Sequence, residues 1–143
     1  MKRRSLLALL GALLAQPLAV LAAWNQEAFG AKSAADALKS LGAASAAPSK
    51  DIVIGAPQIA ENGAVVPIEI SSNIPGTTSI AVLIEKNPFP LTGKFDFKDG
   101  ALPFVKLNAK MGETSEVRVV AVAGGKHYVA TREIKVTIGG CGG

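Results

Sequence analysis

The chain of 143 residues has little of what most small proteins use for chemistry: one cysteine, Cys141, and one histidine, His127. A single cysteine excludes a disulfide within the chain. A single histidine excludes a metal site built from several imidazoles. No glycine-rich phosphate loop is present, because the glycines after Ile138 precede no helix. The apolar run Leu6 to Leu21 is short for a membrane span, which needs about 20 apolar residues. A basic excess is also missing once its location is considered. The formal charge is +4, but Lys2, Arg3 and Arg4 supply three of the fifteen cationic side chains in an opening segment without an acid. The remainder holds twelve cations against eleven carboxylates, so its charge is no argument for nucleic acid binding. Neither an internal repeat nor a low-complexity run occurs.

What is present begins with an export segment. Residues 1–23 read as a signal peptide: a positive Lys2-Arg3-Arg4, an apolar stretch from Ser5 to Leu21 broken by Gln16-Pro17, and small residues at Val20-Leu21-Ala22-Ala23 for cleavage. Arg3-Arg4 followed by Ser5-Leu6-Leu7 resembles a twin-arginine signal. The cleavage region holds no cysteine, which excludes a lipoprotein. The expected compartment is the periplasm.

Trp24 to Leu41 reads as one helix, with Ala28, Ala31, Ala35 and Leu38 spaced by three and four and Gly42 as its C-terminal glycine. Ala43 to Lys50 reads as a linker. From Asp51 the period changes to two. Val66, Ile68 and Ile70 alternate with Pro67 and Glu69; Ile80, Val82 and Ile84 alternate with Ala81, Leu83 and Glu85. Val117, Val119 and Ala121 continue the pattern. Tyr128, Ala130, Ile134, Val136 and Ile138 share a face interrupted by Arg132. Shorter strands fit Ile52–Ile54, Gln58–Ala60, Lys94–Phe97 and Leu102–Leu107. Asn62-Gly63, Asp99-Gly100 and Gly124-Gly125 offer the positive φ of tight hairpins. Six to eight short strands with regular turns predict an all-β chain, an immunoglobulin-like antiparallel β-sandwich over 51–138 without its disulfide. Pro67 belongs on an edge or at a bulge. His127, just after Gly124-Gly125, reads as a solvated turn histidine, and Asp96, Asp99, Glu113 and Glu116 as surface carboxylates that no spacing pairs as acid and base.

The chain ends Gly139-Gly140-Cys141-Gly142-Gly143. A cysteine between two glycine pairs has no neighbouring side chains to pack against, and glycine widens the backbone's choice of conformation. The expectation is a flexible arm, residues 139–143, that holds one thiol in solvent. From Ile138 it reaches about 10 Å. A leftover cysteine in an exported chain implies intermolecular pairing or a reactive thiol. No lysine, arginine or histidine adjoins Cys141, and the Gly143 carboxylate disfavours the thiolate, so its activation must come from what receives the arm. A thiol on an arm without a catalytic set fits a non-catalytic carrier.

The Gly-Gly-Cys-Gly-Gly end on an exported sandwich resembles the SoxY family of bacterial thiosulfate oxidation. Arg3-Arg4, the helix with Ala-Lys-Ser-Ala-Ala-Asp-Ala-Leu at 31–38, and Glu85-Lys86-Asn87-Pro88 add to the resemblance. It implies that Cys141 carries thiosulfate-derived sulfur covalently and that the chain has no cofactor of its own. It also implies a heterodimer with a separate SoxZ-like subunit, and visits to a c-type cytochrome, a hydrolase and a molybdenum-haem dehydrogenase. The Asn87 to Leu91 loop is a candidate partner contact. Two other readings stand beside it: an interaction module that forms an intermolecular disulfide through Cys141, and a small thiol enzyme that pairs Cys141 with His127.

Overall fold

The computed structural model describes residues 24–137. The expected signal segment and the tail from residue 138 onward lie outside the described residues. Where one helix was expected there are two, α1 (Gln26–Gly30) and α2 (Ala34–Ser40). Each has its own cap. Asn25 Oδ1 accepts from the Ala28 amide at 3.0 Å. Ser33 Oγ accepts from the Asp36 amide and donates to the Asp36 carboxylate. A capping serine in the middle of an apolar stripe starts a new helix instead of extending the old one. Gly42, with φ of +71°, ends α2 as expected. The Ala43 amide reaches back to the Leu38 carbonyl and the Gly42 amide to that of Lys39, which closes the helix end.

Nine strands follow among the described residues: β1 (Ala47–Pro48), β2 (Ile52–Gly55), β3 (Ile59–Ala60), β4 (Val66–Ser72), β5 (Thr77–Ile84), β6 (Leu91–Asp96), β7 (Phe104–Ala109), β8 (Ser115–Ala123) and β9 (Lys126–Val136). The larger sheet runs β1-β9-β8-β5-β6, with β3 also on β9; the smaller runs β2-β4-β7. The sandwich is all-β, as the alternation predicted. Two corrections apply to its detail. The segment read as a linker contains β1, and β1 and β3 pair with β9 in parallel, so one margin of the larger sheet is mixed. Both strands are two residues long and carry no periodicity to read.

Between the sheets Val66, Ile68 and Ile70 meet Ile80, Val82, Ile84, Val117, Val119, Ala121 and Ile134. All of these are fully buried. Of the residues that alternate with them on the larger sheet, Ala81, Leu83 and Val120 are buried too. The helices explain this, because Ala28, Ala37, Leu38 and Ala43 pack on that outer face. The molecule therefore has three layers, helices over the larger sheet over the smaller. The outer face of the smaller sheet is left open. There Glu69 and Lys106 stand opposite each other on β4 and β7 and form an ion pair. The hydrogen bond to Glu69, and then its charge, hold the Lys106 ammonium above its ordinary value of 10.5. A raised cation contributes below that value and is lost only in stronger alkali, so this pair is indifferent to pH in the neutral range.

Arg132 interrupts the inner face of β9 for a reason. Its Nη1 donates to the Ile54 carbonyl at 2.8 Å, which ties β9 of one sheet to β2 of the other. Arg132→Met removes that donor and is expected to cost about 1–2 kcal/mol. In urea denaturation the midpoint falls while the slope stays the same. Pro67 lies on the central strand of the smaller sheet, but β2 ends opposite Glu69, so at Pro67 β4 has only β7 beside it.

The turns divide in function. Gly124 and Gly125, both at positive φ, make the two-residue hairpin between β8 and β9. Asp99 and Gly100 also take positive φ, but their loop joins β6 to β7 and so passes between sheets. Asn62-Gly63 is no hairpin, and Gly63 is not in the left-handed region. A Cβ added there would lie 2.3 Å from the Met111 carbonyl oxygen and 2.9 Å from Val136 Cγ1. Glycine is required by close approach, not by φ.

Candidate functional site

The residues singled out as functional, Cys141 with Gly139, Gly140, Gly142 and Gly143, lie outside the described residues. What the structure defines is the base from which they leave. β9 ends at Val136, and the chain continues through Thr137. Its last turns of backbone are held from both sides. The Lys135 and Thr137 amides donate to the carbonyls of Gln58 and Ala60, each at 3.1 Å. The Val136 amide, facing the other way, donates to Thr114 Oγ1 at 3.0 Å. A strand end with partners on both flanks does not fray readily. The described chain therefore ends on a fixed post.

Three loops surround that post, because the topology brings one end of β3, β5, β7 and β8 to the end of β9. They are 61–65, 85–90 and 110–114, and they are tied together. The Met111 amide donates to the Gly63 carbonyl at 2.7 Å, and the Met111 side chain is buried. Asn87 Nδ2 donates to the Lys110 carbonyl at 2.8 Å, and the Lys86 amide donates to Ser115 Oγ at 3.1 Å. The loop read as a candidate partner contact, Asn87 to Leu91, thus stands at the same end of the sandwich as the last described residues of β9. Its Phe89 is half-exposed, with Lys32 Nζ 3.5 Å above the ring. An amino group over an aromatic face is a cation–π contact.

Charge at this end is unevenly engaged. Arg118 lies between Glu85 and Glu116 on the outer face of the larger sheet, so these three neutralise one another in part. Lys86 and Lys110 form no ion pair among the described residues. Both line a cleft of about 540 Å³ together with Asn87, Pro88, Gly112 and Glu113. The sequence offered no sign of this cleft, since the two lysines lie 24 positions apart. The carboxylates judged to be surface groups are so, with Asp96 paired to Lys94. No group of three or more potential metal ligands occurs among the described residues.

His127 is at the opposite end. It occupies the second position of β9, opposite Val122. Ten residues of strand from there to Thr137 span about 33 Å. The four steps from Thr137 to Cys141 cover at most about 14 Å. The two side chains cannot meet within one chain, and the reading of a thiol enzyme built on Cys141 and His127 is overturned.

Fold and site together define a disulfide-free β-sandwich that carries a single thiol beyond its last strand. The family model for the sulfur oxidation protein SoxY matches residues 38–141. Among solved structures, the sulfur carrier protein SoxY from Chlorobium limicola f thiosulfatophilum is similar at 41% identity, with a TM-score of 0.64, over 72% of this chain and 96% of that one. The superoxide reductase (neelaredoxin) from Ignicoccus hospitalis is similar at 20% identity, with a TM-score of 0.55, over 60% of this chain and 80% of that one; that likeness shows the fold alone. No curated protein sequence matches. The chain belongs to the SoxY family, and with it to the sulfur carriers of sulfur oxidation.

Proposed function

We propose that Cys141 is the covalent attachment point for thiosulfate-derived sulfur, and that the chain presents this cargo in the periplasm without catalysing its conversion. The observation that carries the reading is that the family match runs to residue 141 and so takes in the only cysteine of the chain. The fixed post at Val136 supports it, since a carrier has to project its cargo from a stable body.

The chemistry follows from one thiol. Oxidative coupling removes the Cys141 proton and two electrons and joins Sγ to the outer sulfur of thiosulfate, giving an S-thiosulfonate. A c-type cytochrome takes the electrons. A hydrolase partner adds water to the terminal sulfone, which leaves as sulfate, and Cys141 keeps one added sulfur as a persulfide. A molybdenum-haem dehydrogenase oxidises that remaining sulfur. None of these steps needs a group from this chain beyond Cys141. A separate SoxZ-like subunit completes a heterodimer, and residues 1–23 direct export through a twin-arginine signal.

The test is an intact-mass and peptide-mass measurement on protein from thiosulfate-grown cells. Sulfur-containing adducts are expected on the carboxyl-terminal peptide. Finding only a disulfide-linked dimer would replace the carrier with an interaction module. His127→Ala is expected to leave loading within about twofold of the parent, because this histidine stands roughly 19 Å beyond the arm's reach. A collapse of loading in that variant contradicts the geometry.

A further inference from the structure

Asn62-Gly63 makes no hairpin, and the sulfur chemistry at Cys141 makes no use of it. The chain has five asparagines, Asn25, Asn62, Asn73, Asn87 and Asn108, and only Asn62 is followed by glycine. The carbon of an asparagine amide is open to attack by the backbone nitrogen of the next residue. The side chain of that residue normally obstructs the approach, and glycine has none. The fold adds three features to this local fact. Asn62 is exposed, in the loop between β3 and β4. Its Oδ1 accepts from the Ala64 amide at 3.0 Å, an Asx turn. That bond polarises the side-chain carbonyl and places a donor where negative charge develops during attack, as in an oxyanion hole. The Gly63 amide, the attacking group, donates no hydrogen bond among the described residues.

We propose that Asn62 is a self-modification site, which converts to aspartate and isoaspartate without an enzyme. The Gly63 nitrogen bonds to Asn62 Cγ and gives up its proton. The Cγ–Nδ2 bond breaks, and ammonia leaves with that proton. Water then opens the cyclic imide that remains. Opening at Cγ gives aspartate, and opening at the backbone carbonyl gives isoaspartate; no electron is gained or lost. The other asparagines lack this combination. Pro88 after Asn87 has no N–H to lose. Asn25 caps α1, and its Nδ2 donates to the Ser40 carbonyl at 2.9 Å. Asn73 precedes the β-branched Ile74, whose amide donates to Ser72 Oγ at 3.3 Å, and Asn108 lies within β7.

The site lies against the end of β9. Isoaspartate routes the main chain through the former side chain, so the path from residue 62 to residue 63 gains a carbon. Gly63 cannot absorb this by moving toward Met111. A carbon added at its Cα already falls 2.3 Å from the Met111 carbonyl oxygen and 2.9 Å from Val136 Cγ1. The loop moves outward instead, which weakens the 2.7 Å bond from the Met111 amide to the Gly63 carbonyl. Aspartate, the other product, keeps the backbone path and an oxygen for the Ala64 amide. None of this depends on the role of Cys141.

The test ages the full chain in mildly alkaline buffer, beside a sample unfolded in urea, and follows both by peptide mass. In native buffer the peptide holding Asn62 is expected to gain the mass difference between an amide and a carboxyl group. It does so before any peptide holding another asparagine, and it separates into two isomers, one of them a substrate for an isoaspartate-selective methyltransferase. Hydrogen exchange at the Val136 and Thr137 amides is expected to rise several-fold in the isoaspartate form, while Asn62→Asp matches the fresh parent. The site is refuted if Asn62 keeps its amide in native buffer, whatever happens in urea, or if another asparagine converts first. Isoaspartate at 62 with unchanged exchange at Val136 and Thr137 overturns the effect on β9.

Discussion

Cys141→Ser is expected to abolish sulfur loading completely, from full occupancy to background, while leaving the fold untouched. The argument for an all-or-none effect is one of inventory. The chain has no second thiol to take over. A serine hydroxyl is not ionised in the neutral range and does not attack or couple to sulfane sulfur as a thiolate does. Stability should be unchanged, because the core ends with Ile134 and Val136 and position 141 lies five residues beyond. Two measurements decide it together. Intact mass after exposure to thiosulfate and the partner enzymes reads the load, and thermal unfolding reads the fold. A serine variant that still accumulates sulfur mass would falsify the assignment of Cys141. A variant that loses both load and melting temperature would mean that the tail supports the sandwich.

The second large effect is expected at Gly63, a position that no chemistry points to. Alanine there would place its Cβ 2.3 Å from a backbone oxygen, that of Met111, and 2.9 Å from Val136 Cγ1. Real contacts of this kind do not come so close, and a backbone oxygen cannot rotate away as a side chain can. The 61–65 loop has to move off the 110–114 loop. That weakens the 2.7 Å bond between the Met111 amide and the Gly63 carbonyl and loosens the buried Met111. Gly63→Ala is therefore expected to destabilise by about 3 kcal/mol. For a domain of this size that lowers the melting temperature by on the order of 10 °C. The strain falls on Val136, so hydrogen exchange should rise first at the Val136 and Thr137 amides. A variant as stable as the parent would show that this end of the sandwich yields easily, and that the arm's post is softer than its hydrogen bonds imply.

The comparison of Gly63 with Gly124-Gly125 shows how far local reading goes. Both were turn signals between apolar runs. At Gly124-Gly125 the reason was local, a two-residue hairpin, and it holds. At Gly63 the reason is a carbonyl from 48 residues away. The same division runs through the strands. The inner faces of β4, β5 and β8 were legible because side chains on a strand alternate. The burial of Ala81, Leu83 and Val120 was not, because it depends on helices that lie on the other face of the sheet. The break between α1 and α2 was written locally, in Ser33 and Asp36, but the apolar stripe across it was the stronger signal.

The sequence by itself determined that this chain has one thiol, that it stands among glycines past the last apolar alternation, and that no site of several imidazoles and no internal disulfide was available to it. It also determined the sandwich, since period-two alternation and turn residues act over a few neighbours. Only the tertiary structure decided what surrounds the base of that thiol's arm. Pairing β9 with β3 and β8 brings Thr114, Lys86 and Lys110 to one end and carries His127 to the other. Distances of that kind are set by which strands meet across the chain, and a local pattern of polar and apolar residues does not record them.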